Sequence, residues 1–428
     1  MEKFEYPRLG ESIFKTVLPN GLTVQVVPRP GFTRKLVYFA TDFGSIHTDF
    51  ELEGREYHVP AGVAHFLEHK MFDMPGGRDV SAELASLGAG VNAFTSFDIT
   101  AYFFGCTENF EECLKILLEF VSTPHFTEES VQKEMGIIDQ EIGMNLDSSD
   151  SRVFEDLMGC LYENHPIRVP ILGTSETIRE ITPEILHICH RAFYTPGNMI
   201  LCVVGDVDPD RVARIAEEVL GTEPRPVGRK LPFQPEAMTA HAPGSRRTME
   251  VAMPTFELGF KCEDVGWGRE SVRREIVADL AAEALFGESS ELFLRLYEEG
   301  VIDSSFGGGF ETSEGVAMLF CGGDSQDPEA VRDAILAEAA RIAEEGVAEE
   351  AFLRLRRSAI GHRIRALDSF DSTCFRVCAH HLSKFDYFDF PGVYEEVTAE
   401  EVREFLGRCI RPQRMSLSII DPIEEEEA

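Results

Sequence analysis

The stretch His65-Phe66-Leu67-Glu68-His69 places two histidines four residues apart, with a glutamate between them. On a helix, residues four apart lie one above the other, so both imidazoles share a face and Glu68 lies one turn from His65. Two imidazoles and a carboxylate are groups that hold a catalytic zinc ion and accept a proton from water beside it. Histidine pairs at this spacing also occur by chance on surface helices. A metal site therefore needs a third ligand from elsewhere in the chain.

Two later glutamates are candidates for that ligand. Glu134 and Glu141 are two helical turns apart in a predicted helix over 127–144, so both face the same way. A solvated acidic stripe is the alternative interpretation of such a pair. Three isoleucines are expected to bury the other side of this helix: Ile137, Ile138 and Ile142.

Turn and periodicity signals predict the elements around the motif. Asn20-Gly21 lies between two β-rich runs and is a strong hairpin signal. The absence of proline within 61–74 predicts a motif helix of more than three turns that ends at Gly76-Gly77. The alternating residues from Val91 to Cys106 predict a long β-rich run.

The composition is that of a folded, strongly acidic chain. Its 428 residues, 43% of them hydrophobic, predict two or more globular domains. The 40 basic and 75 acidic residues give a net charge of −35, which argues against binding to nucleic acids or anionic membranes. The acidity indicates either a solvated surface or an acidic cavity that attracts positively charged segments.

The cysteines and the N-terminus predict a cytoplasmic location. Ten cysteines are scattered from Cys106 to Cys409 without a short repeating framework, as is typical of reduced, buried thiols. The first residues show no charged-then-apolar signal pattern, and no apolar run reaches membrane-spanning length. We therefore expect a soluble, cytoplasmic protein.

A proline-rich segment divides the chain into two halves. We predict a first domain over 1–222, a linker over 223–245 and a second domain over 246–428. Both halves are α+β and show a similar order of elements, which indicates an ancient duplication. The second half has no counterpart of the His/Glu/His stretch, and residues 424–427 are predicted to form a solvated acidic tail.

Two smaller groups of residues are not interpreted as functional sites. Cys374, Cys378, His380 and His381 have metal-like helical spacing, but no neighbour completes a tetrahedral set, so buried core thiols are the favoured interpretation. Gly307-Gly308-Gly309 lacks the lysine and the following Ser/Thr of a phosphate loop and is interpreted as a bend in a strand.

The central stretch resembles the inverted zinc motif H-x-x-E-H of the inverzincins, the pitrilysin/insulinase metallopeptidases that include the mitochondrial processing peptidases. The resemblance extends over nearly the whole chain and is best to the short bacterial YmfH-type, processing-peptidase-like branch, whose members accompany a second, related subunit. Other similar stretches are Leu18–Leu22, Gly62–Phe72, Asn92–Thr95 with Thr100 and Tyr102, and Phe193-Tyr194 through Asp208.

The resemblance implies a role for each motif residue. His65, His69 and Glu141 are expected to bind one zinc ion, Glu68 to be the catalytic general base, and Glu134 to support the catalytic site from beside it. The implied fold is insulinase-like, related to the metalloenzyme LuxS. It has two homologous domains, each a mainly antiparallel sheet packed by helices, which together form half of a clamshell chamber.

The resemblance also implies a substrate-binding strand. Asn92, Ala93, Phe94 and Thr95 are expected to hold a peptide by β-augmentation. From the pattern alone, an ordinary internal strand is the alternative interpretation of this segment.

One departure from the family implies a partner. Self-sufficient members carry an arginine in the second domain, followed seven positions later by a tyrosine, and both help to bind substrate. Arg295 fits the arginine, but Ile302 occupies the seventh position and Tyr297 is out of register. We therefore expect a homologous second subunit, in a heterodimer or a homodimer, to supply the Arg/Tyr pair.

These inferences predict a zinc-dependent metalloendopeptidase that hydrolyses peptides or unfolded segments enclosed in a chamber, with Glu68 activating water at the zinc ion. A non-proteolytic structural or assembly subunit is one alternative, and a dedicated peptide-maturation protease is another. The intact His65, Glu68, His69 and Glu141 argue against the non-proteolytic alternative.

Overall fold

The computed structural model describes residues 1–423, which fold into two compact units. Unit 1 consists of Met1–Ile142, Pro170–Pro232 and Arg363–Asp389, and unit 2 consists of Gly143–Val169, Phe233–His362 and the residues from Phe390 onward. The units interleave along the chain, whereas the predicted boundaries 1–222, 223–245 and 246–428 cut it into contiguous domains. The predicted acidic tail, 424–427, lies outside the described residues.

Both halves of the chain contain strands and helices. The strands are β1 (Glu2–Tyr6), β2 (Glu11–Val17), β3 (Thr23–Pro28), β4 (Lys35–Thr41), β5 (Asp49–Leu52), β6 (Arg55–His58), β7 (Gly90–Thr95), β8 (Thr100–Cys106), β9 (Met199–Gly205), β10 (Arg229–Lys230), β11 (Gly244–Met249), β12 (Thr255–Cys262), β13 (Gly307–Ser313), β14 (Val316–Asp324) and β15 (Met415–Pro422). The helices are α1 (Val63–Lys70), α2 (Val80–Ser86), α3 (Phe110–Ser122), α4 (Glu128–Leu146), α5 (Ser149–Leu161), α6 (Pro183–Phe193), α7 (Pro209–Leu220), α8 (Arg269–Phe286), α9 (Glu291–Glu298), α10 (Pro328–Glu345), α11 (Glu349–Arg365), α12 (Phe370–Leu382), α13 (Phe390–Glu396) and α14 (Ala399–Cys409). Within the described chain, none of these helices has both the length and the apolarity needed to cross a bilayer.

Unit 1 is built on a seven-stranded sheet in the order β1-β2-β3-β9-β4-β8-β7. Strands β3 and β9 run parallel, and the other neighbours are antiparallel. The predicted hairpin between β2 and β3 is confirmed. Gly21 there has a φ of 93°, and Asn20 Oδ1 accepts a hydrogen bond of 3.0 Å from the backbone N–H of Leu22.

Helices cover both faces of this sheet, because alternate residues of a strand point to opposite sides. Phe39 and Leu201 are buried in a core that includes residues of α1, α3 and α6. Cys202 lies on the other face, where its thiol contacts those of Cys374 and Cys378 on α12. Both helix cysteines are fully buried, as the sequence predicts.

Unit 2 repeats this architecture with a five-stranded sheet in the order β11-β15-β12-β14-β13. This order matches the strands β3-β9-β4-β8-β7 of unit 1, taken in the same sequence. The parallel pair of unit 2, β11 and β15, corresponds to the parallel pair β3 and β9 of unit 1. Helix α5 packs on β11, β12 and β15, as α12 packs on β4 and β9. Each sheet therefore carries a helix from the other half of the chain, which explains why the units interleave.

Strand register shows which residues correspond between the two sheets. Helices α6 and α14 each have 11 residues, begin after a threonine cap and are followed by the pattern Pro-x-x-Met. Met199 pairs with Thr41 and Met415 pairs with Phe260, so Thr41 and Phe260 occupy equivalent positions. Thr41 in turn pairs with Thr100, and Phe260 pairs with Leu319, so Thr100 and Leu319 are also equivalent. The predicted repeat of elements is thus present at the level of single residues.

The expectation that the motif helix exceeds three turns is wrong. Helix α1 has 8 residues and ends at Lys70, and an isolated β-bridge joins Asp73 to Asp79 on either side of Gly76. The predicted β-rich run over 91–106 is confirmed and forms a hairpin of β7 and β8. Its turn is closed by a hydrogen bond of 2.8 Å from the N–H of Ser96 to the carbonyl of Ile99.

Candidate metal centre

The geometry at the start of α1 requires a glycine. Gly62 has a φ of 90°, and a Cβ there would lie 2.5 Å from the carbonyl oxygen of Leu172. The helix that follows holds the rings of His65 and His69 with their centroids 4.5 Å apart. The exposed fractions of His65 and Glu68 are 7% and 8%, so α1 carries polar groups into the interior.

Helix α4 presents the two predicted glutamates on one face. Ile138 and Ile142 are buried on the other side, as predicted. Ile137 is 45% exposed, so the prediction that it is buried is wrong. It lies three residues after Glu134 and four before Glu141, and therefore shares their face of the helix.

Glu141 reaches both imidazoles. Its Oε1 lies 3.8 Å from His65 Nε2, and its Oε2 lies 3.8 Å from His69 Nε2. One ligand atom from each of the three residues lies within 4.8 Å of the other two. No other group of three or more His, Cys, Asp or Glu in residues 1–423 meets this spacing, including the cysteine–histidine cluster on α12.

Glu134 contacts the far side of the His69 ring. Its Oε1 lies 3.0 Å from His69 Nδ1. A carboxylate at Nδ1 favours the tautomer with the proton on that nitrogen, which leaves the lone pair of Nε2 directed at Glu141. This is the contact of a residue that orients a ligand.

The two histidines have different electrostatic surroundings. Burial, assisted by the neighbouring His69, lowers the pKa of His65 to about 3, so His65 is neutral near pH 7. Burial also opposes the charged form of His69. The hydrogen bond that His69 donates to Glu134 and the nearby carboxylates of Glu68 and Glu141 outweigh burial and raise the pKa of His69.

Glu68 is held by a residue on the neighbouring strand. Thr95 Oγ1 donates a hydrogen bond of 2.7 Å to Glu68 Oε2. Burial raises the pKa of Glu68, opposed by this hydrogen bond and by His69. The sequence analysis assigned Thr95 only to the substrate strand. The overlooked signal is the two-residue alternation of β7, which turns Ala93 and Thr95 toward α1 and Phe94 away from it.

The donor set fits zinc. Two imidazole nitrogens and one carboxylate oxygen are the three protein ligands typical of catalytic zinc, whereas magnesium and calcium sites are built mainly from oxygen. His65 is uncharged and His69 has its Nδ1 occupied by Glu134, so both can offer Nε2. The groups present are therefore compatible with one zinc ion.

The residues predicted to bind substrate lie in different units. Strand β7 pairs only with β8 in the described sheet, so it is an edge strand, and the interpretation as an internal strand is excluded. It carries Asn92, Ala93, Phe94 and Thr95 in unit 1. Arg295 lies exposed on α9 of unit 2.

Two family models match the chain in succession. The one described as "Insulinase (Peptidase family M16)" matches residues 55–175, which contain the candidate ligands. The one described as "Peptidase M16 inactive domain" matches residues 180–359.

Relatives and solved structures extend this match over nearly the whole chain. The Bacillus subtilis (strain 168) protein named "Uncharacterized zinc protease YmfH" is 35% identical over 429 residues, 99% of each chain. The "Uncharacterized zinc protease YmxG" of the same organism is 26% identical, covering 84% of this chain and 88% of the relative. The structure of a putative M16-like peptidase from Alicyclobacillus acidocaldarius has a TM-score of 0.93 at 33% identity, covering 98% of this chain and 100% of that one. A protease from Helicobacter pylori shares the fold, with a TM-score of 0.81 at 20% identity, covering 96% of this chain and 99% of that one.

These similarities confirm the resemblance inferred from the motifs and the α+β fold with two domains. The names of the relatives support a peptidase in general and associate the group with zinc. On the strength of a relative that is 35% identical along 99% of its length, this chain belongs to the insulinase family of peptidases, family M16.

Proposed function

We propose that this chain is a zinc-dependent metalloendopeptidase that cleaves peptides or unfolded polypeptide segments. The observation that carries the proposal is the convergence of His65, His69 and Glu141 within 4.8 Å, with Glu68 on the same short helix as both histidines. The names of the relatives, which include the words zinc protease, support the same class of reaction.

The three proposed ligands and Glu68 have different roles in peptide hydrolysis. A zinc ion held by His65, His69 and Glu141 would polarise the peptide carbonyl and lower the pKa of a water molecule at the site. Glu68 takes a proton from the attacking water and returns it to the leaving amine. Its raised pKa suits both steps, because a stronger base removes the proton more readily and the resulting acid can still donate it.

The free edge of β7 provides a place for the substrate main chain. An edge strand presents unpaired backbone N–H and C=O groups, to which an extended peptide can add as a further strand. Thr95, the last residue of β7, is the one that contacts Glu68. A peptide paired along β7 would therefore run past the catalytic carboxylate.

The test is cleavage by the zinc-loaded protein and by its Glu68→Gln variant. The wild type should cut a mixture of unstructured synthetic peptides at internal bonds, identified by mass spectrometry. The variant should keep its zinc, measured by elemental analysis, and lose on the order of 10²–10⁴-fold in kcat/KM.

Glu129→Gln is the matched control, because Glu129 is an exposed glutamate on α4. It should leave cleavage and zinc content unchanged. Cleavage by Glu68→Gln at the wild-type rate would contradict the assigned role. A zinc-loaded wild type that cleaves none of the peptides would instead favour the non-proteolytic assembly subunit.

We further propose that a related second subunit, or a second copy of this chain, completes substrate binding. Ile302 stands where the family resemblance calls for a tyrosine, and it is buried, with 4% of its surface exposed. Copurification from the native cell with mass spectrometry should recover a related chain. If the purified chain alone cleaves peptides as fast as the complex, this proposal fails.

A further inference from the structure

Four hydroxyl groups lie one behind another on the side of Glu68 occupied by β7. Thr95 Oγ1 donates to Glu68 Oε2 at 2.7 Å, and Thr100 Oγ1 lies 3.3 Å from Thr95 Oγ1. The Tyr194 side chain neighbours Thr100, and its hydroxyl lies 2.9 Å from that of Tyr102. Strand β8 supplies Thr100 and Tyr102, and the segment after α6 supplies Tyr194.

The donor and acceptor properties of these groups determine the direction of each hydrogen bond. An ionised carboxylate can only accept, so Thr95 must donate to it and then has a lone pair free for Thr100. The proton of Thr100 is shared between Thr95 Oγ1 and the carbonyl of Phe43, which lies 2.9 Å away. Burial raises the pKa of Tyr102 and of Tyr194, so both remain protonated donors.

Burial makes this chain the main support of the Glu68 carboxylate on that side. Thr100 and Tyr102 have no exposed surface, and Tyr194 is 2% exposed. Water therefore cannot substitute for a missing hydroxyl at these three positions. Hydrogen bonds in such a buried cluster, between Thr95 and Thr100 and between Tyr194 and Tyr102, hold the groups in one arrangement.

The equivalent positions of unit 2 have no such chain. In unit 1, Thr95 of β7 pairs with Thr100 of β8. In unit 2, Phe310 of β13 pairs with Leu319 of β14 in the same register. The equivalents of the four hydroxyl residues, taken from strand register and from the position after α6 and α14, are Phe310, Leu319, Cys321 and Ile410. The same architecture thus forms with apolar side chains at these places, so the fold alone does not require the hydroxyl groups.

We infer that Thr95, Thr100, Tyr194 and Tyr102 are positioning residues that fix the Glu68 carboxylate in the orientation needed for proton transfer. The inference rests on the proposed peptidase activity and assigns these four residues an effect that is exerted through Glu68. It also gives an individual role to Thr100, Tyr102 and Tyr194, which belong to the stretches that resemble the family.

The first test compares two substitutions at one position. Thr95→Val keeps the shape and removes the donor, and Thr95→Ser keeps the donor. With zinc bound, Thr95→Val should lower kcat roughly 10- to 100-fold with little change in KM, because misplacing a catalytic group affects chemistry more than binding. Thr95→Ser should restore most of the loss.

Thr41→Val is the matched control. Thr41 is fully buried in the same sheet and donates 2.6 Å to the carbonyl of Phe193, outside the hydroxyl chain. It should lower Tm and leave kcat near the wild-type value. Wild-type kcat in Thr95→Val, or equal losses in Thr95→Val and Thr41→Val, would overturn the inference.

A second measurement does not depend on activity. Thermal unfolding of the metal-free Thr95→Val, Glu68→Ala and double variants should show coupling, with a Tm loss in the double variant smaller than the sum of the single losses. Additive losses would overturn the inference even if the wild type is an active peptidase. Absence of cleavage by the wild type, with coupled losses, would count against the proposed function alone.

Discussion

The two sheets share a strand order and a register, and they differ in the polar groups that their helices bring to them. In unit 1, α1 lies against β7 and β8, and in unit 2, α8 lies against β13 and β14. Helix α1 carries two histidines and a glutamate, whereas α8 contains no histidine. The strand order therefore does not specify the candidate chemistry, which depends on a few side chains placed on one copy of a repeated scaffold.

The difference extends to the interior of each unit. Unit 1 buries His65, Glu68, Thr100 and His190 against its sheet, each a polar group that costs free energy unless it finds a partner. Thr100 and His190 meet that condition through hydrogen bonds to other residues of the unit. At the positions equivalent to Thr100 and His190, unit 2 has leucines. A repeated fold can therefore carry polar function in one copy while the other uses ordinary apolar packing.

Removal of a proposed metal ligand is the test of this comparison with the largest expected effect. His65→Ala should reduce bound zinc from about one equivalent to near zero and abolish cleavage, because two ligands cannot replace a three-ligand site. Elemental analysis of the purified variant measures the zinc. His187→Ala, which removes an exposed histidine of α6, is the control and should retain zinc. A fully loaded His65→Ala variant would show that the metal binds elsewhere.

The parts of this site that local rules govern could be predicted from sequence. The His65/His69 spacing, the seven-residue step from Glu134 to Glu141 and the Asn20-Gly21 hairpin each depend on a fixed backbone geometry over a few residues. Those three expectations required only the period of a helix or the conformation of a turn. They describe the elements correctly because neighbouring residues determine them.

The remaining features depend on contacts between distant parts of the chain. Ile137 looked buried by composition, yet the face it shares with Glu134 and Glu141 is open. The alternation of β7 separates Thr95 from Phe94, but linking Thr95 to Glu68 also requires knowing that β7 lies beside α1. The exchange of α5 and α12 between the sheets has no local signal, since an amphipathic helix packs equally well on either apolar face.

The next largest effect concerns His190 and pH. Burial lowers the pKa of His190 from 6.5 to about 4, so the unfolded chain binds the proton first as the pH falls. The contribution of His190 to stability is complete above pH 6.5 and is lost between pH 6.5 and 4, by about 3 kcal/mol. Leu406 is the equivalent residue in unit 2, because both are the eighth residue of their helix.

His190→Leu should therefore weaken the acid dependence of stability. The loss of Tm between pH 7 and pH 4.5 should be smaller in the variant than in the wild type, measured by circular dichroism. The loss of the hydrogen bond from His190 Nε2 to the Val121 carbonyl should lower Tm equally at both pH values. Identical losses of Tm in the two proteins would show that His190 is already charged in the folded state.

A smaller effect is expected at Glu134, which has no metal-binding role in our proposal. Glu134→Ala should weaken zinc affinity on the order of 10- to 100-fold, because His69 loses the carboxylate that orients it. Competition with a chelating dye measures the affinity. Glu129→Ala on the same helix is the control and should bind zinc as the wild type does. If Glu134→Ala removes zinc as completely as His65→Ala, Glu134 is a ligand rather than a support.

The smallest effect on stability is expected at a feature that both units share, the threonine cap of an equivalent helix. Thr182 caps α6 and Thr398 caps α14 at equivalent positions, each accepting a hydrogen bond from a backbone N–H in the first turn. Replacement by alanine should cost about 1 kcal/mol at either cap. Thr398 also belongs to a capping box, in which Glu401 Oε2 accepts hydrogen bonds from the Thr398 N–H and from its hydroxyl, whereas α6 has Ile185 at that position.

Thr398→Ala should therefore lower the free energy of unfolding in urea slightly more than Thr182→Ala does. Glu401→Ala should remove that excess and leave the threonine contribution in place. A greater loss at Thr182 would show that the packing of α6 in unit 1, rather than the cap itself, determines the cost. In that case the two copies would differ even in the local interactions that end their helices, and the divergence between them would not be confined to the candidate site.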